Sequence, residues 1–248
     1  MVFIMSRKDR PCMRVQKKGE EYMGFKLDRG EMDKIFSDLA GKYDIYAPVV
    51  KEGEGTFSDI DVIRYDKVKS LDEIEWKKRS DYSFKEVLLS INETIFYFTE
   101  DQTTVSGGPE KEILLFLRSC DLHAVKRLDQ IYLHNTFEDF YYRRVRDKVH
   151  FVLMGCTDTC DSGFCVSMGT NISSDYDMYI RPDGDQVQAD VRDPALAASF
   201  AGCAEADVTP DFVTENKAKV TLPRNITQET AKSDLWTEYG ERCITCGR

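Results

Sequence analysis

Apolar residues recur along this chain in two rhythms, one with the period of a helix and one with that of a strand. The switches between them outline the fold. From Asp28, residues Met32, Ile35, Phe36, Leu39 and Ala40 fall on one helical face, which predicts an amphipathic helix ending near Gly41. Asp44 to Val50 is a short strand-like run, Glu52 to Gly55 a loop, and Thr56 to Tyr65 alternates loosely enough to predict a strand. Leu71 to Trp76 and Phe84 to Leu89 read as short helices. Thr94 to Phe98, β-branched and aromatic throughout, reads as a strand, and Ser106-Gly107-Gly108-Pro109 then breaks the chain.

The strongest pattern follows. Glu112 to Leu117 and Val149 to Met154 are apolar runs of buried-strand type, and Asp121 to His134 lies between them with Leu122, Val125, Leu128, Ile131 and Tyr132 at helical spacing. A second helical stretch, Glu138 to Lys148, falls inside the same crossover. Strand, helix, strand in this order is a βαβ unit around residues 112–155, whose strands are parallel and joined right-handed. Asp177 to Ile180 and Gln186 to Val191 flank the turn Pro182-Asp183-Gly184-Asp185 and predict a hairpin. Asp193 and Pro194 suit the N-cap and first position of a helix to Phe200. Val213 to Leu222 reads as a last strand, and Thr227 as the cap of a helix to about Tyr239. The expected class is α/β, with α+β as the alternative: a mixed sheet with helices packed on it.

Three divisions are expected. Residues 1–22 are basic and without apolar periodicity, and Lys18-Gly19-Glu20-Glu21 resembles a translated ribosome-binding site, so a non-native or disordered extension before a true start at Met23 is predicted. Residues 23–225 form the α/β domain, and residues 226–248 a helix and the opening of a further domain. The net charge of −10 argues against nucleic-acid binding. No apolar run approaches membrane-spanning length and no secretory signal is evident, so a cytoplasmic protein with reduced thiols is expected.

Eight cysteines in that setting read as metal ligands or redox groups rather than disulfides. Cys156, Cys160 and Cys165 form C-x3-C-x4-C directly after an apolar run, and glycines at 155 and 163 let the backbone turn tightly enough for several sulfurs to converge. Cys120 follows the other apolar run. In parallel sheets, sites gather beyond the carboxyl ends of the strands, which would set Cys120 and Cys156 side by side. Four thiolates suit a [4Fe–4S] cluster, and zinc would accept the same set; C-x2-C pairs, which zinc ribbons favour, are absent from this nest. Asp121 is a candidate oxygen ligand or helix N-cap. Arg118, Lys126, Arg127, Arg143, Arg144 and Arg146 read as a solvated face, with offsetting a cluster's charge or docking an acidic partner as alternatives. His123, His134 and His150 are too scattered to make a site. Cys243-Ile244-Thr245-Cys246 has the opening spacing of a ferredoxin run.

The runs YAPVVKEGEGTFSDIDVIRYD, LRSCDLHAVKRLD, FYYRRVRDKVHFVLMGC and FCVSMG resemble the iron–sulfur electron-transfer subunit of anaerobic sulfite reductase and, more distantly, the beta subunits of sulfhydrogenases, over about Met23 to Arg248. The resemblance implies an electron carrier. Such a carrier relays electrons from a flavin- and nicotinamide-binding subunit to a sirohaem subunit that reduces sulfite to sulfide. It also implies that Cys243 and Cys246 match the first two ligands of a first ferredoxin motif; the other six cysteines of two such motifs are absent from this sequence. The reading from a different class is a docking or scaffold module with a structural zinc, or with no metal.

Overall fold

The computed structural model describes residues 23–219 and 228–245. The chain divides into two compact units, Met1–Ala218 and Lys219–Arg248. In the first, β1 (Met23–Asp28), β2 (Tyr43–Lys51), β3 (Val62–Lys67), β6 (Glu112–Leu117), β7 (Val149–Met154), β8 (Met178–Asp183) and β9 (Gln186–Val191) form one sheet in the order β1-β9-β8-β7-β6-β2-β3. The four central strands are parallel, and antiparallel β3, β9 and β1 complete the edges. This is the α/β architecture that the sequence predicts.

The two central apolar runs became β6 and β7 because helices cover both of their faces, as parallel sheets require. On one face Leu114, Phe116, Val152 and Met154 pack under α1 (Arg29–Lys42), which buries Met32, Ile35, Phe36 and Leu39. On the other, Leu115, Leu117 and Leu153 meet α3 (Ser119–Tyr132) and α4 (Phe140–Arg146) through Leu122, Val125, Leu128 and Tyr142. Asp28 caps α1 by accepting the Glu31 N–H at 2.8 Å, and the Glu31 carboxylate accepts the Asp28 N–H at 3.1 Å. Asp28→Ala is expected to cost about 1 kcal/mol, a fall of roughly 2–4 °C in Tm by calorimetry.

Several expectations are corrected. The loose alternation of Thr56 to Tyr65 yields a strand only from Val62. Before it the chain closes into a loop in which the Gly55 N–H donates to the Ile60 carbonyl, leaving Phe57 and Ile60 in solvent. Leu71 to Trp76 contains one 3-10 turn, Leu71–Glu73. Phe84 to Leu89 contributes a short helix, α2 (Lys85–Leu88). The aromatic run at Thr94 to Phe98 pairs outside the main sheet, as β4 (Phe96–Phe98) with β5 (Thr103–Val105). β1 was not anticipated, and it closes the sheet on β9. The helix at Asp193 is shorter than expected, α5 (Pro194–Ala197) running into a 3-10 turn at Ala198–Phe200.

Residues 213–219 form no strand; residues 220–222 lie outside the described residues, as do 1–22 and Thr227. In the second unit the expected helix is two pieces, α6 (Gln228–Ala231) and α7 (Asp234–Arg242). The division comes at Ser233, whose hydroxyl caps α7 by accepting the Leu235 N–H. Among the described residues no helix is long and apolar enough to cross a membrane.

Candidate metal centre

Parallel pairing of β6 with β7, from Ile113 opposite Val149 to Leu117 opposite Leu153, brings their carboxyl ends level. Cys120 follows β6 by three residues, on the first turn of α3, and Cys156 follows β7 by two. The chain then makes a long excursion before β8, and Cys160 and Cys165 lie on it. All four thiols are free. They are near enough to feel one another. Cys120 keeps an exposed edge, yet desolvation by the groups packed around its thiol pushes it up to about 12, with the Asp121 carboxylate and the thiols of Cys156, Cys165 and Cys160 acting in the same direction. Burial also raises Cys165, again with Cys156 and Cys160 contributing. Among the described residues no three of these sulfurs lie within 4.8 Å of one another.

Gly155 sets the direction of the loop by its bareness. A Cβ there would stand 2.8 Å from the Tyr179 hydroxyl and from Cδ of Arg181, and 2.9 Å from Cβ of Arg181. Its role is close approach to β8, where the sequence reading expected a tight turn. At Gly163 the turn is real: its N–H donates to the Cys160 carbonyl at 2.9 Å, so Cys160 and Cys165 sit on either side of one bend.

Residues 213–217, the described start of the run Val213 to Leu222 read from sequence as a strand, instead strap this loop down. Asn216 accepts the Val166 N–H at 3.0 Å and donates to the Ser167 hydroxyl at 2.8 Å. The Lys217 N–H donates to the buried Thr159 hydroxyl at 3.1 Å, and its ammonium pairs with Asp158 and Asp161. Asn171 donates to the Val213 carbonyl at 2.8 Å. His123 of α3 holds the far end of the excursion through the Ile172 carbonyl at 2.8 Å. These polar ties explain why a segment with strand-like alternation pairs with no strand: its hydrogen-bonding groups serve the cysteine loop.

Asp121 is not the N-cap of α3. That position is held by Arg118, and the Asp121 carboxylate reaches back to accept the Arg118 N–H at 3.4 Å. Burial raises its pKa against the opposing pull of that N–H and of the Arg118 guanidinium. Arg118 itself is the main correction. It is 7% exposed and not part of a solvated face. Its guanidinium donates to Sγ of Cys156 at 3.3 Å and to the carbonyls of Trp76 and Lys78 at 3.0 and 2.8 Å. Burial works against its charge, but the Cys156 sulfur, with Cys160 and Tyr65, outweighs that and raises its pKa. Tyr65 completes the surroundings: burial, then Asp121, drives its phenol well above its usual range.

The other basic residues divide differently. Arg143, Arg144 and Arg146 are partly buried and paired with Glu138, Glu93 and Asp129; Lys126 pairs with Asp175; Arg127 is exposed. His150 is not an isolated core residue. Its ring nitrogens face Glu112 and Asp193 at 3.1 and 3.3 Å, with Asp177 in the same buried group. Cys243 is exposed, at the end of α7 in the second unit. Cys246 lies outside the described residues.

The residues around the nest fit a thiolate-held group. Four free thiols lie past the ends of β6 and β7 and on the strapped loop, close enough to influence one another electrostatically, and a buried cation points at one of them. Behind the Gly155 backbone, the Tyr179 hydroxyl lies against the Arg181 side chain and the Asp211 backbone.

No protein-family profile matches the chain, and no solved structure matches it. Among curated proteins the chain is similar to Sulfhydrogenase 2 subunit beta of Pyrococcus furiosus. The two are 27% identical over 201 residues, which is 74% of this chain and 60% of that protein.

Proposed function

We propose that this chain is an iron–sulfur electron-transfer subunit of a multi-subunit oxidoreductase, with its cluster held by Cys120, Cys156, Cys160 and Cys165. The observation that supports the reading is the placing of Cys120 and Cys156 just past the ends of adjacent parallel strands, with Cys160 and Cys165 on the loop that follows and a buried guanidinium on one sulfur. A [4Fe–4S] cluster held by four thiolates would supply one-electron relay. The protein's own part is to orient the thiolates and supply compensating charge. Zinc is the alternative occupant, since it accepts the same four thiolates.

The partner and substrate follow from resemblance. The similar protein is named as a subunit of a sulfhydrogenase, and the sequence runs around RSCDLHA and YAPVV resemble the electron-transfer subunit of anaerobic sulfite reductase. Both support membership of a complex that moves electrons between other subunits. The finer reading is a relay from a flavin and nicotinamide subunit to a sirohaem subunit reducing sulfite. Cys243 and Cys246 would begin a separate ferredoxin-type site.

The test is anaerobic purification of the full chain, reading iron, zinc and the visible spectrum together. About four irons per chain and a brown chromophore, both lost in Cys156→Ser and in Cys160→Ser, are expected. One zinc per chain in a colourless protein would overturn the relay in favour of a structural docking module.

A further inference from the structure

Arg118 is a cation buried at the end of β6, and its surroundings are unusual for one. Among the described residues no carboxylate pairs with it at salt-bridge distance; its partners are two backbone carbonyls and one sulfur. A buried guanidinium is costly unless neighbouring groups offset its charge; besides the two carbonyls its hydrogen-bond partner is the Cys156 sulfur, and the Asp121 carboxylate acts on it through space. Guanidinium geometry is rigid and forked. With one terminal nitrogen fixed by the carbonyls of Trp76 and Lys78, the other is aimed at Sγ rather than free to swing away. The loop carrying Trp76 is itself anchored: Trp76 packs edge-on to Phe116, with ring centroids 6.1 Å apart. The fork is therefore set by the core, not by the surface.

We infer that Arg118 is a positioning residue that sets the reduction potential of the centre by donating a hydrogen bond to the Cys156 sulfur. This rests on the cluster reading above. Reduction adds negative charge to a thiolate-bound cluster, and a fixed donor and positive charge on one sulfur favour the reduced form. Loss of the donor makes reduction harder. Arg118→Lys keeps the charge but loses the fork, so its effect is smaller. Neither change removes a ligand.

The experiment is a redox titration of the anaerobically purified full chain, followed by electron paramagnetic resonance, on wild type, Arg118→Gln and Arg118→Lys, with iron counted in each. Expected is full iron in Arg118→Gln with a reduction equilibrium at least tenfold less favourable, a fall of about 59 mV for one electron. Arg118→Lys should fall in between. Full iron with an unchanged midpoint in Arg118→Gln would overturn the inference and leave the cluster reading standing. If Arg118→Gln does not fold or loses iron, Arg118→Lys decides: a lowered midpoint supports the inference and an unchanged one ends it. A wild-type chain without iron would defeat both readings together, which the iron count distinguishes.

Discussion

Replacing Gly155 by valine is expected to lower the thermal unfolding midpoint by roughly 6–12 °C. The added Cβ alone meets three atoms of β8 at under 3 Å. The Tyr179 hydroxyl ends a rigid ring that is fully buried, and Cβ of Arg181 is fixed to the strand, so neither can swing aside. Overpacking of this kind costs about 1–3 kcal/mol and occasionally more; the two γ-methyls of valine place this case at about 3 kcal/mol. The Gly155 N–H also donates to the Ile180 carbonyl at 3.2 Å, so separating β7 from β8 strains a sheet hydrogen bond as well. Differential scanning calorimetry measures the shift, and a fall of less than about 2 °C would mean that β8 yields freely there. Because Cys156 follows directly, the same variant should bind less iron on the cluster reading, even at temperatures where it is folded.

Asp129→Ala should destabilise to a similar degree without touching the thiols. Asp129 on α3 is buried; it accepts the Tyr142 hydroxyl at 2.7 Å and both arms of Arg146, at 3.0 and 3.1 Å. It therefore locks α4 onto α3 within the crossover. Burial, and then Asp129, raises the Tyr142 phenol far above its usual range, so the hydroxyl stays a donor at any working pH. Removing the carboxylate strands a buried hydroxyl and a guanidinium together. Breaking a buried pair costs about 3–5 kcal/mol. The guanidinium side chain here keeps 24% of its surface and also stacks 4.5 Å over Phe151, which brings the expectation to about 2–4 kcal/mol. Urea unfolding would read this as a lower midpoint with an unchanged slope. Asp129→Asn, which keeps one acceptor oxygen, should recover part of the loss. Iron content is expected to hold in Asp129→Ala and fall in Gly155→Val, which separates general loss of stability from displacement of Cys156.

Much of the frame was legible because its signals are local. The apolar runs at Ile113 to Leu117 and Val149 to Met154 admit only buried strands, and the spacing of Leu122, Val125 and Leu128 between them admits only a covering helix. A βαβ unit then leaves little freedom in topology, so the level ends of β6 and β7 follow, and with them the neighbourhood of Cys120 and Cys156. The helix starts at Asp28 and Asp193 were readable in the same way, since a cap is satisfied within three residues.

What stayed hidden depends on partners distant in sequence. Aromatic residues at Phe96 to Phe98 give strand propensity but do not say which strand will pair with them, and they pair with β5 alone. The run from Val213 alternates like a strand, yet its polar groups over residues 213–217 are taken by Thr159, Val166, Ser167 and Asn171, far back along the chain. Arginine is usually solvated, and nothing near Arg118 in sequence marks it as buried. Its burial follows from the meeting of the 76–78 loop with the end of β6. The sequence by itself determined the parallel core, the crossover and the clustering of thiols, because hydrophobic period and cysteine spacing are written along the chain. Only the tertiary structure decided which charge faces a sulfur, which glycine admits β8 and what straps the cysteine loop, because those depend on where separate segments come to rest.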